Sequence, residues 1–143
     1  MAFDNILVVC VGNICRSPIA EALLKQQYPQ KNIESAGLSA VVGNPVDSNS
    51  QAVMDPYDID MSNHIAKQIN EKLVMKADLI FTMSDGQTKW IEERWPHCRG
   101  KTFKIGHWID KDIADPYQHE QSAFEAARQE IVSSLKLWTD KIS

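Results

Sequence analysis

Several features that would define a class of protein are scarce or missing in this sequence. It has three cysteines, an odd number, and no two of them form the CxxC pair typical of structural metal sites. No stretch approaches the length of a transmembrane helix. The short apolar run at residues 5–11 lacks the basic lead-in and the cleavage site of a signal peptide. The formal net charge of −4 gives no electrostatic support to a nucleic-acid partner.

The rest of the composition is that of an ordinary globular protein. Hydrophobic residues make up 43 % and charged residues 24 % of the chain. A chain of 143 residues is long enough for one domain with a substantial core and too short for two. We therefore expect a single domain over residues 1–143.

Segments with strand and helix patterns alternate along the chain. The four predicted strands lie at residues 6–9, 32–36, 79–83 and 102–105, and Gly37 is expected to break the second. The predicted helices lie at residues 19–28, 47–54 and 70–77, after a capping box of Ser84 and Gln87, and from about residue 122 to the end. This alternation predicts an α/β fold with a four-stranded parallel sheet and helices on both faces, as in flavodoxin-like proteins.

The stretch VCVGNICRSP at residues 9–18 is the most informative part of the sequence. It joins the first strand to the first helix, with Cys10 near its start and Arg16 near its end. Gly12 and Asn13 between them tolerate tight or left-handed backbone conformations. The serine and proline at its end are typical of a helix N-cap followed by the first helical residue. Such a turn directs backbone N–H groups at one centre, which predicts a phosphate-sized anion site.

Cys10 and Arg16 add reactivity to this predicted anion site. The helix terminus, the N–H groups and the guanidinium all favour the thiolate form of Cys10. Arg16 offers a planar fork for two oxygens of the anion, and a thiolate beneath a phosphoryl group is placed for in-line attack on phosphorus. The alternative is a buried cysteine in a structural corner with Arg16 on the surface. The combination of residues in one turn favours the reactive site, and a reactive thiol predicts a reducing compartment, the cytoplasm.

The run VCVGNICRSPIAEA resembles the signature of the low-molecular-weight protein tyrosine phosphatases. A second segment, Asp115-Pro116-Tyr117, resembles the general-acid motif of that family, and weaker similarities lie at residues 35–37, 43–45 and 64–68. The similarity covers essentially the whole chain. The Gly106-His107-Trp108 run is similar to bacterial members, and Gln118 stands where mammalian members have a second tyrosine.

The resemblance implies the phosphotyrosine phosphatase I-like fold and a tyrosine phosphatase that forms a phosphocysteine intermediate without metal or cofactor. Cys10 is then the nucleophile, Arg16 binds the phosphate, and Asp115 is the general acid that later activates water. From the residues alone, Asp110 and Asp112 are also candidates for the acid. The implied phosphate-binding loop comprises Val11, Gly12, Asn13, Ile14, Cys15, Arg16 and Ser17.

The resemblance also implies supporting roles around this loop. Hydrogen bonds that brace the loop are assigned to Asn13, Ser17, Ser35 and His64. The hydroxyl of Ser17 is further expected to bond the Cys10 sulfur and help it leave. Leu38 and Tyr117 are expected to line the mouth of the substrate cleft.

Cys15 lies inside the loop and has two interpretations. It is a small apolar packing residue, or it is a redox partner, because a loop curled around phosphate brings Cys10 and Cys15 to a Cα–Cα separation of about 5–6 Å. An accessible thiolate is also prone to oxidation to sulfenic acid. The sequence therefore predicts that peroxide inactivates the protein reversibly through a Cys10–Cys15 disulfide.

Two other functions remain open at the level of sequence. An arsenate reductase uses a similar loop and fold but needs further cysteines, and only Cys98 is available in the second half. A non-catalytic phosphotyrosine-binding module needs neither Cys10 nor Asp115. For the phosphatase, resemblance to bacterial members implies a phosphotyrosine protein substrate, with a tyrosine autokinase of capsule and exopolysaccharide export as the partner, and inorganic phosphate or another oxyanion as a ligand of the site.

Overall fold

Four parallel strands form the centre of the molecule in this computed structural model, which describes residues 3–142. The strands are β1 (Asn5–Cys10), β2 (Asn32–Gly37), β3 (Leu79–Thr82) and β4 (Thr102–Lys104), in the order β2-β1-β3-β4. All three pairings are parallel. Side chains of β1 and β3 are buried on both faces of the sheet, which explains their unbroken apolar sequences.

Six α-helices accompany this sheet within residues 3–142. They are α1 (Arg16–Gln27), α2 (Ser48–Met54), α3 (Glu71–Lys76), α4 (Asp85–Arg94), α5 (Gln121–Lys136) and α6 (Thr139–Ile142). Alternate residues of β1 enter two cores: Ile6 and Val8 pack in the larger core with α1, α2 and α5, whereas Leu7 and Val9 pack in the smaller core with α3 and α4. The predicted four-stranded α/β fold with helices on both faces is therefore confirmed.

The start of α1 differs from the sequence prediction. Ser17 was expected to cap the helix, but the helix begins at Arg16, and Cys15 precedes it without a side-chain cap hydrogen bond. Ser17 lies inside the first turn because its hydroxyl is bonded to Cys10 and Asn13 instead. Pro18 is still tolerated there, since the first four N–H groups of a helix have no intrahelical acceptor.

The end of the chain also differs from the prediction of one continuous helix. The last turn of α5 tightens to hydrogen bonds between residues three apart, from Leu137 N to Ser134 O and from Trp138 N to Leu135 O. The break places the indole of Trp138 against Phe81, with ring centroids 4.8 Å apart, and its Nε1 donates to Ile105 O at 2.8 Å. The predicted apolar stripe is nevertheless buried throughout, at Phe124, Ala127, Ile131, Leu135, Trp138 and Ile142. Ser143 lies outside the described residues.

Gly37 was expected to break β2, but it is the last paired residue of that strand. Its N–H donates to Lys67 O and its carbonyl accepts from Ile69 N, each at 2.9 Å. A Cβ at this position would lie 2.5 Å from the carbonyl oxygen of Val11 and 3.0 Å from Ala40. The position therefore requires glycine, because the phosphate-loop backbone passes too close for any side chain.

The strand order makes the end of β1 a switch point, because the chain adds β2 on one side of β1 and then β3 and β4 on the other. Crevices for ligands form at the carboxyl ends of strands at such a switch point. Cys10, the last residue of β1, lies there, and so does the segment after β4 that carries Asp115.

Two glycine substitutions test this account of packing at Gly37. Gly37→Ala should lower the free energy of unfolding by about 1–3 kcal/mol, because the neighbouring backbone oxygen cannot move away cheaply. Gly86→Ala is the matched control: the nearest contact to a Cβ there is Ser84 Oγ at 3.8 Å, inside α4. It should be neutral or stabilising by about 0.4–1 kcal/mol. Urea unfolding measures both, and an unaffected Gly37→Ala protein would contradict the close approach.

Candidate active site

The loop between β1 and α1 turns its carbonyl oxygens outward. Val11 O accepts from Ser39 N at 2.9 Å, Gly12 O from Val41 N at 3.0 Å, and Ile14 O from Asp47 N at 2.8 Å. The carbonyls of Asn13 and Cys15 are bonded outward in the same way, to His64 and Ser50. Because N–H and C=O lie on opposite edges of a trans peptide, this arrangement turns the N–H groups toward the inside of the loop. Converging N–H groups of this kind make an anion-binding concavity.

The thiol of Cys10 lies at the base of this loop with a hydroxyl beside it. Its side chain is buried, and Sγ lies 3.0 Å from Ser17 Oγ. Asn13 Nδ2 donates to the same hydroxyl oxygen at 2.8 Å. Since the amide nitrogen can only donate, the hydroxyl hydrogen of Ser17 is free to point at sulfur. The Ser17 hydroxyl is therefore placed to donate a hydrogen bond to the Cys10 sulfur.

Asn13 is the centre of the network that holds the loop. Its backbone is left-handed, with φ of 62°, and His64 Nε2 donates to its carbonyl oxygen at 2.6 Å. Its side-chain oxygen accepts from Lys67 N at 2.9 Å, and its Nδ2 also donates to Ser35 Oγ at 2.9 Å. The Ser35 hydroxyl in turn donates to Glu21. The four residues predicted to brace the loop thus lie in one network.

Sequence reasoning missed two members of this network, Glu21 and Lys67. Glu21 accepts from Ser35, and its Oε1 also lies 3.9 Å from Nδ1 of His64. It is the glutamate of the VCVGNICRSPIAEA run, so the motif contained the signal. Lys67 contributes its backbone N–H, which no side-chain pattern reveals.

Arg16 connects the loop to the segment that follows β4. Its side chain is buried, and Nη1 donates to Ile113 O at 2.7 Å. Nη2 lies 3.6 Å from Asp115 Oδ2. Nε is fully buried and has no hydrogen-bond partner among the described residues. A buried charged donor needs an acceptor, and an anion in the loop fits that requirement.

Asp115 is the carboxylate that faces this site. A cavity of about 90 Å³ is lined by Cys10, Val11, Gly12, Ile14, Cys15, Arg16, Asp115 and Tyr117. The Asp115 side chain is 46 % exposed, and its Oδ1 accepts from Tyr117 N at 3.1 Å. The other two candidate acids, Asp110 and Asp112, are bonded to Lys104 instead. Of these three aspartates, Asp115 is the one that lines the cavity.

The two residues expected at the mouth of the cleft are placed differently. Tyr117 is half-exposed and lines the cavity, as expected. Leu38 is not among the lining residues and packs, partly buried, against the smaller core. Val41 lies beside the loop instead: a Cβ on Gly12 would be 3.4 Å from Val41 Cγ2. Sequence reasoning missed Val41, because only the bond from its N–H to Gly12 O brings it there.

The other two cysteines are also buried and free. Burial raises the pKa of Cys15 to about 12, and the nearby charge of Asp47 adds to the shift. A thiol that stays protonated fits the packing role and slows attack on an oxidised Cys10, so the disulfide stays a prediction. Cys98 lies in the smaller core, on the other face of the sheet from Cys10, and its carbonyl bonds Thr102 at the amino end of β4.

Within residues 3–142, no group of three or more His, Cys, Asp or Glu side chains is arranged to hold a metal ion. None of the helices in the described part of the chain is both long and apolar enough to span a membrane.

A thiol below an anion loop, with a guanidinium beside it and a carboxylate above it, defines a phosphomonoesterase of the cysteine-dependent class. Comparison with known proteins narrows that class. The family described as low molecular weight phosphotyrosine protein phosphatase matches residues 5–143. The chain belongs to this family and is a low molecular weight protein-tyrosine phosphatase.

Individual relatives agree with this assignment. The low molecular weight protein-tyrosine-phosphatase Ptp of Acinetobacter johnsonii is 53 % identical over 142 residues, which cover 99 % of this chain and 100 % of the relative. The crystal structure of Erwinia amylovora tyrosine phosphatase AmsI superposes with a TM-score of 0.94 at 38 % identity, covering 99 % of this chain and 94 % of that one. Vibrio vulnificus Wzb, solved in complex with benzylphosphonate, has a TM-score of 0.92 at 39 % identity, covering 98 % and 99 %.

The hydrogen bond from Ser17 to Cys10 can be tested by alkylation. Ser17→Ala removes the hydroxyl donor, so iodoacetate should alkylate Cys10 about 10-fold more slowly at neutral pH, as a charge-assisted hydrogen bond is worth about 1.5–3 kcal/mol. Ser50→Ala is the control, because that buried hydroxyl bonds Cys15 O and does not reach the thiol. Equal alkylation rates in the wild type and Ser17→Ala would mean that the hydroxyl does not stabilise the thiolate.

Proposed function

We propose that this phosphatase hydrolyses phosphotyrosine in proteins in two steps, with Cys10, Arg16 and Asp115 as its catalytic residues. In the first step the Cys10 thiolate attacks phosphorus, the bond to the phenol oxygen breaks, and Asp115 gives that oxygen a proton. In the second step the ionised Asp115 takes a proton from water, water attacks phosphorus, and the sulfur leaves with the Ser17 hydrogen bond to stabilise its charge. Phosphate and the starting enzyme result.

The position of Arg16 is the observation that carries this proposal. Its guanidinium lies beside Asp115, and its buried Nε has no acceptor in the described part of the protein. An oxyanion between the loop N–H groups and this guanidinium satisfies both sets of donors. The same anion then lies next to Cys10, which lines the same cavity as Asp115.

The walls of the cavity favour an aryl phosphate. Cys10 is only 2 % exposed at the base of the loop, so the phosphate must be presented on a long side chain. Apolar side chains of Val11 and Ile14, together with the ring of Tyr117, line the way in. A planar phenyl ring makes good contact with such walls. The benzylphosphonate bound to the similar Vibrio vulnificus protein supports the same class of substrate.

The alternatives have less support. An arsenate reductase needs a cysteine relay, but Cys98 is completely buried on the other face of the sheet. Burial also raises the pKa of the Cys98 thiol, which disfavours the thiolate that a relay requires. A module that only binds phosphotyrosine would be weakened by the Asp115 carboxylate. This carboxylate lies 3.6 Å from Arg16, and its negative charge repels a phosphate bound there.

For the partner, we propose a tyrosine autokinase of capsule and exopolysaccharide export, encountered in the cytoplasm. The support is the similarity of the chain to bacterial members of the family, together with the reducing conditions that a catalytic thiol requires. Phosphotyrosines of such a kinase belong to the substrate class that we propose for the cavity lined by Val11, Ile14 and Tyr117.

The role of Asp115 predicts a dependence on the leaving group. Asp115→Asn should slow phosphorylation of the enzyme by phenyl phosphate about 10²–10³-fold, and by dinitrophenyl phosphate less than about 10-fold, because a basic phenolate needs the proton most. Single-turnover kinetics across a series of aryl phosphates measure the slope of the logarithm of the phosphorylation rate against the basicity of the leaving phenol. Glu120→Gln, an exposed carboxylate five residues later, is the control and should keep the wild-type slope. An unchanged slope in Asp115→Asn would rule out Asp115 as the acid.

The nucleophile and the partner can be tested together by trapping. Cys10→Ser should lose turnover, since a serine hydroxyl stays protonated, yet it should still bind phosphate through the loop and Arg16. A purified tyrosine autokinase should then bind Cys10→Ser when phosphorylated and fail to bind after dephosphorylation. The double variant Cys10→Ser, Arg16→Met is the control, because it also lacks the arginine that binds phosphate. Residual turnover in Cys10→Ser would place the nucleophile elsewhere, and capture of unphosphorylated kinase would contradict recognition of phosphotyrosine.

A further inference from the structure

A buried lysine surrounded by three carboxylates lies next to the segment that carries Asp115. Lys104 is the last residue of β4, and its side chain is only 6 % exposed. Its Nζ lies 3.0 Å from Asp85 Oδ2, 2.9 Å from Asp110 Oδ1 and 3.1 Å from Asp112 Oδ1. One amine therefore joins the end of β4 and the start of α4 to the segment before Asp115.

The cluster has three negative charges and one positive charge. The positive charge of Lys104 therefore holds the three carboxylates close together. Three carboxylates share a single ammonium, so without Lys104 their charges would repel one another across a short distance. Hydrogen bonding to Asp110 first, and then to Asp85 and Asp112, raises the pKa of Lys104 above its ordinary value. The amine consequently stays charged throughout the neutral pH range. A single exposed ion pair contributes little. Here the three carboxylates are exposed, but the amine is buried and bonds all three of them.

The cluster connects to the active site through very few residues. Asp112, whose Oδ1 also accepts from Asp85 N at 3.2 Å, is followed by Ile113. Ile113 N donates to Met83 O at 2.8 Å, and its carbonyl accepts from Arg16 Nη1 at 2.7 Å. Asp115 comes two residues later. Lys104 thus holds the backbone just before Ile113, and Ile113 is in turn bonded to Arg16.

The local backbone shows why an anchor is needed in this segment. Asp110 is left-handed, with φ of 47°, and Gly106 lies so close to Lys111 that a Cβ would be 2.1 Å from the Lys111 carbonyl oxygen. The segment is therefore a tight turn with one unfavourable residue conformation. Lys104 bonds the side chain of that same Asp110. The ion cluster therefore stabilises the turn that precedes Asp115 in the chain.

We propose that Lys104 is a positioning residue for general-acid catalysis: by binding Asp85, Asp110 and Asp112 it holds Asp115 at the distance from which it can protonate the leaving oxygen. This proposal rests on the proposed role of Asp115. Lys104 does not touch the substrate, and it takes no part in the grip on phosphate.

Lys104→Met tests the proposal, because methionine keeps the length of the buried stem and removes the charge. Phosphorylation by phenyl phosphate should slow about 10–100-fold, and phosphorylation by dinitrophenyl phosphate less than about 3-fold, as expected when only the acid is displaced. The inhibition constant for inorganic phosphate should change less than about 2-fold, since the loop and Arg16 are intact. Lys111→Met is the matched control: it is a lysine of the same segment, paired with Glu130 at 2.9 Å and not with the cluster. It should leave all three values unchanged.

A double variant separates positioning from a general effect on folding. In an Asp115→Asn background, Lys104→Met should cause less than about a 2-fold further change in the phosphorylation rate, because there is no acid left to position. Asp110→Asn combined with Asp112→Asn releases the segment while keeping Lys104, and it should reproduce the dependence on the leaving group. This variant also decides the matter should Lys104→Met not fold.

An unchanged dependence on the leaving group in both Lys104→Met and the Asp110→Asn, Asp112→Asn protein would overturn the proposal. Two other results would also overturn it: an equal fall in rate for all phenols, and a full further loss in the Asp115→Asn background. Each would make Lys104 a support of the fold or of the loop and not of the acid. Failure of the proposed function looks different: Asp115→Asn itself then shows the wild-type slope. The Lys104 proposal fails when Asp115→Asn changes the slope and neither Lys104→Met nor the Asp110→Asn, Asp112→Asn protein does.

Discussion

The hydrogen bonds of Asn13 are the constraint on which the rest of the active site depends. A non-glycine residue with φ of 62° is unfavourable by itself and persists only where its surroundings hold it. Here the carbonyl is held by His64, the side-chain oxygen by Lys67, and the amide group by Ser17 and Ser35. These partners come from three separate parts of the chain. The curvature of the anion loop is therefore a property of the folded protein and not of the loop sequence alone.

The active site consists of two halves that different forces hold in place. Cys10 lies in a loop fixed by mostly neutral hydrogen bonds at the end of β1, whereas Asp115 lies on a segment with an ion cluster at its base. Arg16 connects the halves, because one guanidinium nitrogen bonds the backbone at Ile113 and another lies beside Asp115. The position of this one buried side chain thus sets the separation between sulfur and carboxylate.

Local sequence patterns predicted the position of the turn between β1 and α1. The apolar residues of β1, the turn at Gly12 and Asn13, and the pair Cys10 and Arg16 lie within a dozen residues. Short-range rules therefore predict a turn at this place, although its curvature depends on the distant partners of Asn13. Resemblance to a family supplied Asp115, since three aspartates in one polar segment are alike in sequence. The structure separates them by their neighbours: two are bound to Lys104 and one faces the cavity.

The predictions that were wrong are those in which tertiary contacts override local preference. Ser17 has the sequence of a helix cap, but Cys10 and Asn13 engage its hydroxyl. The last helix has an unbroken apolar stripe, but the indole of Trp138 binds Ile105 O and the helix ends before it. None of these contacts leaves a trace in residue periodicity.

The segment at residues 61–69 combines two tasks. It has no helix and no named strand of its own, yet it covers the end of the edge strand β2 at Gly37 and supplies two of the partners of Asn13. Segments outside the regular helices and strands commonly open locally at a lower free energy than the sheet that they cover. Opening of this segment would release His64 and Lys67 together. We therefore expect the free energy of losing catalytic activity to be smaller than the free energy of global unfolding. On this expectation, warming would abolish activity before the parallel sheet unfolds.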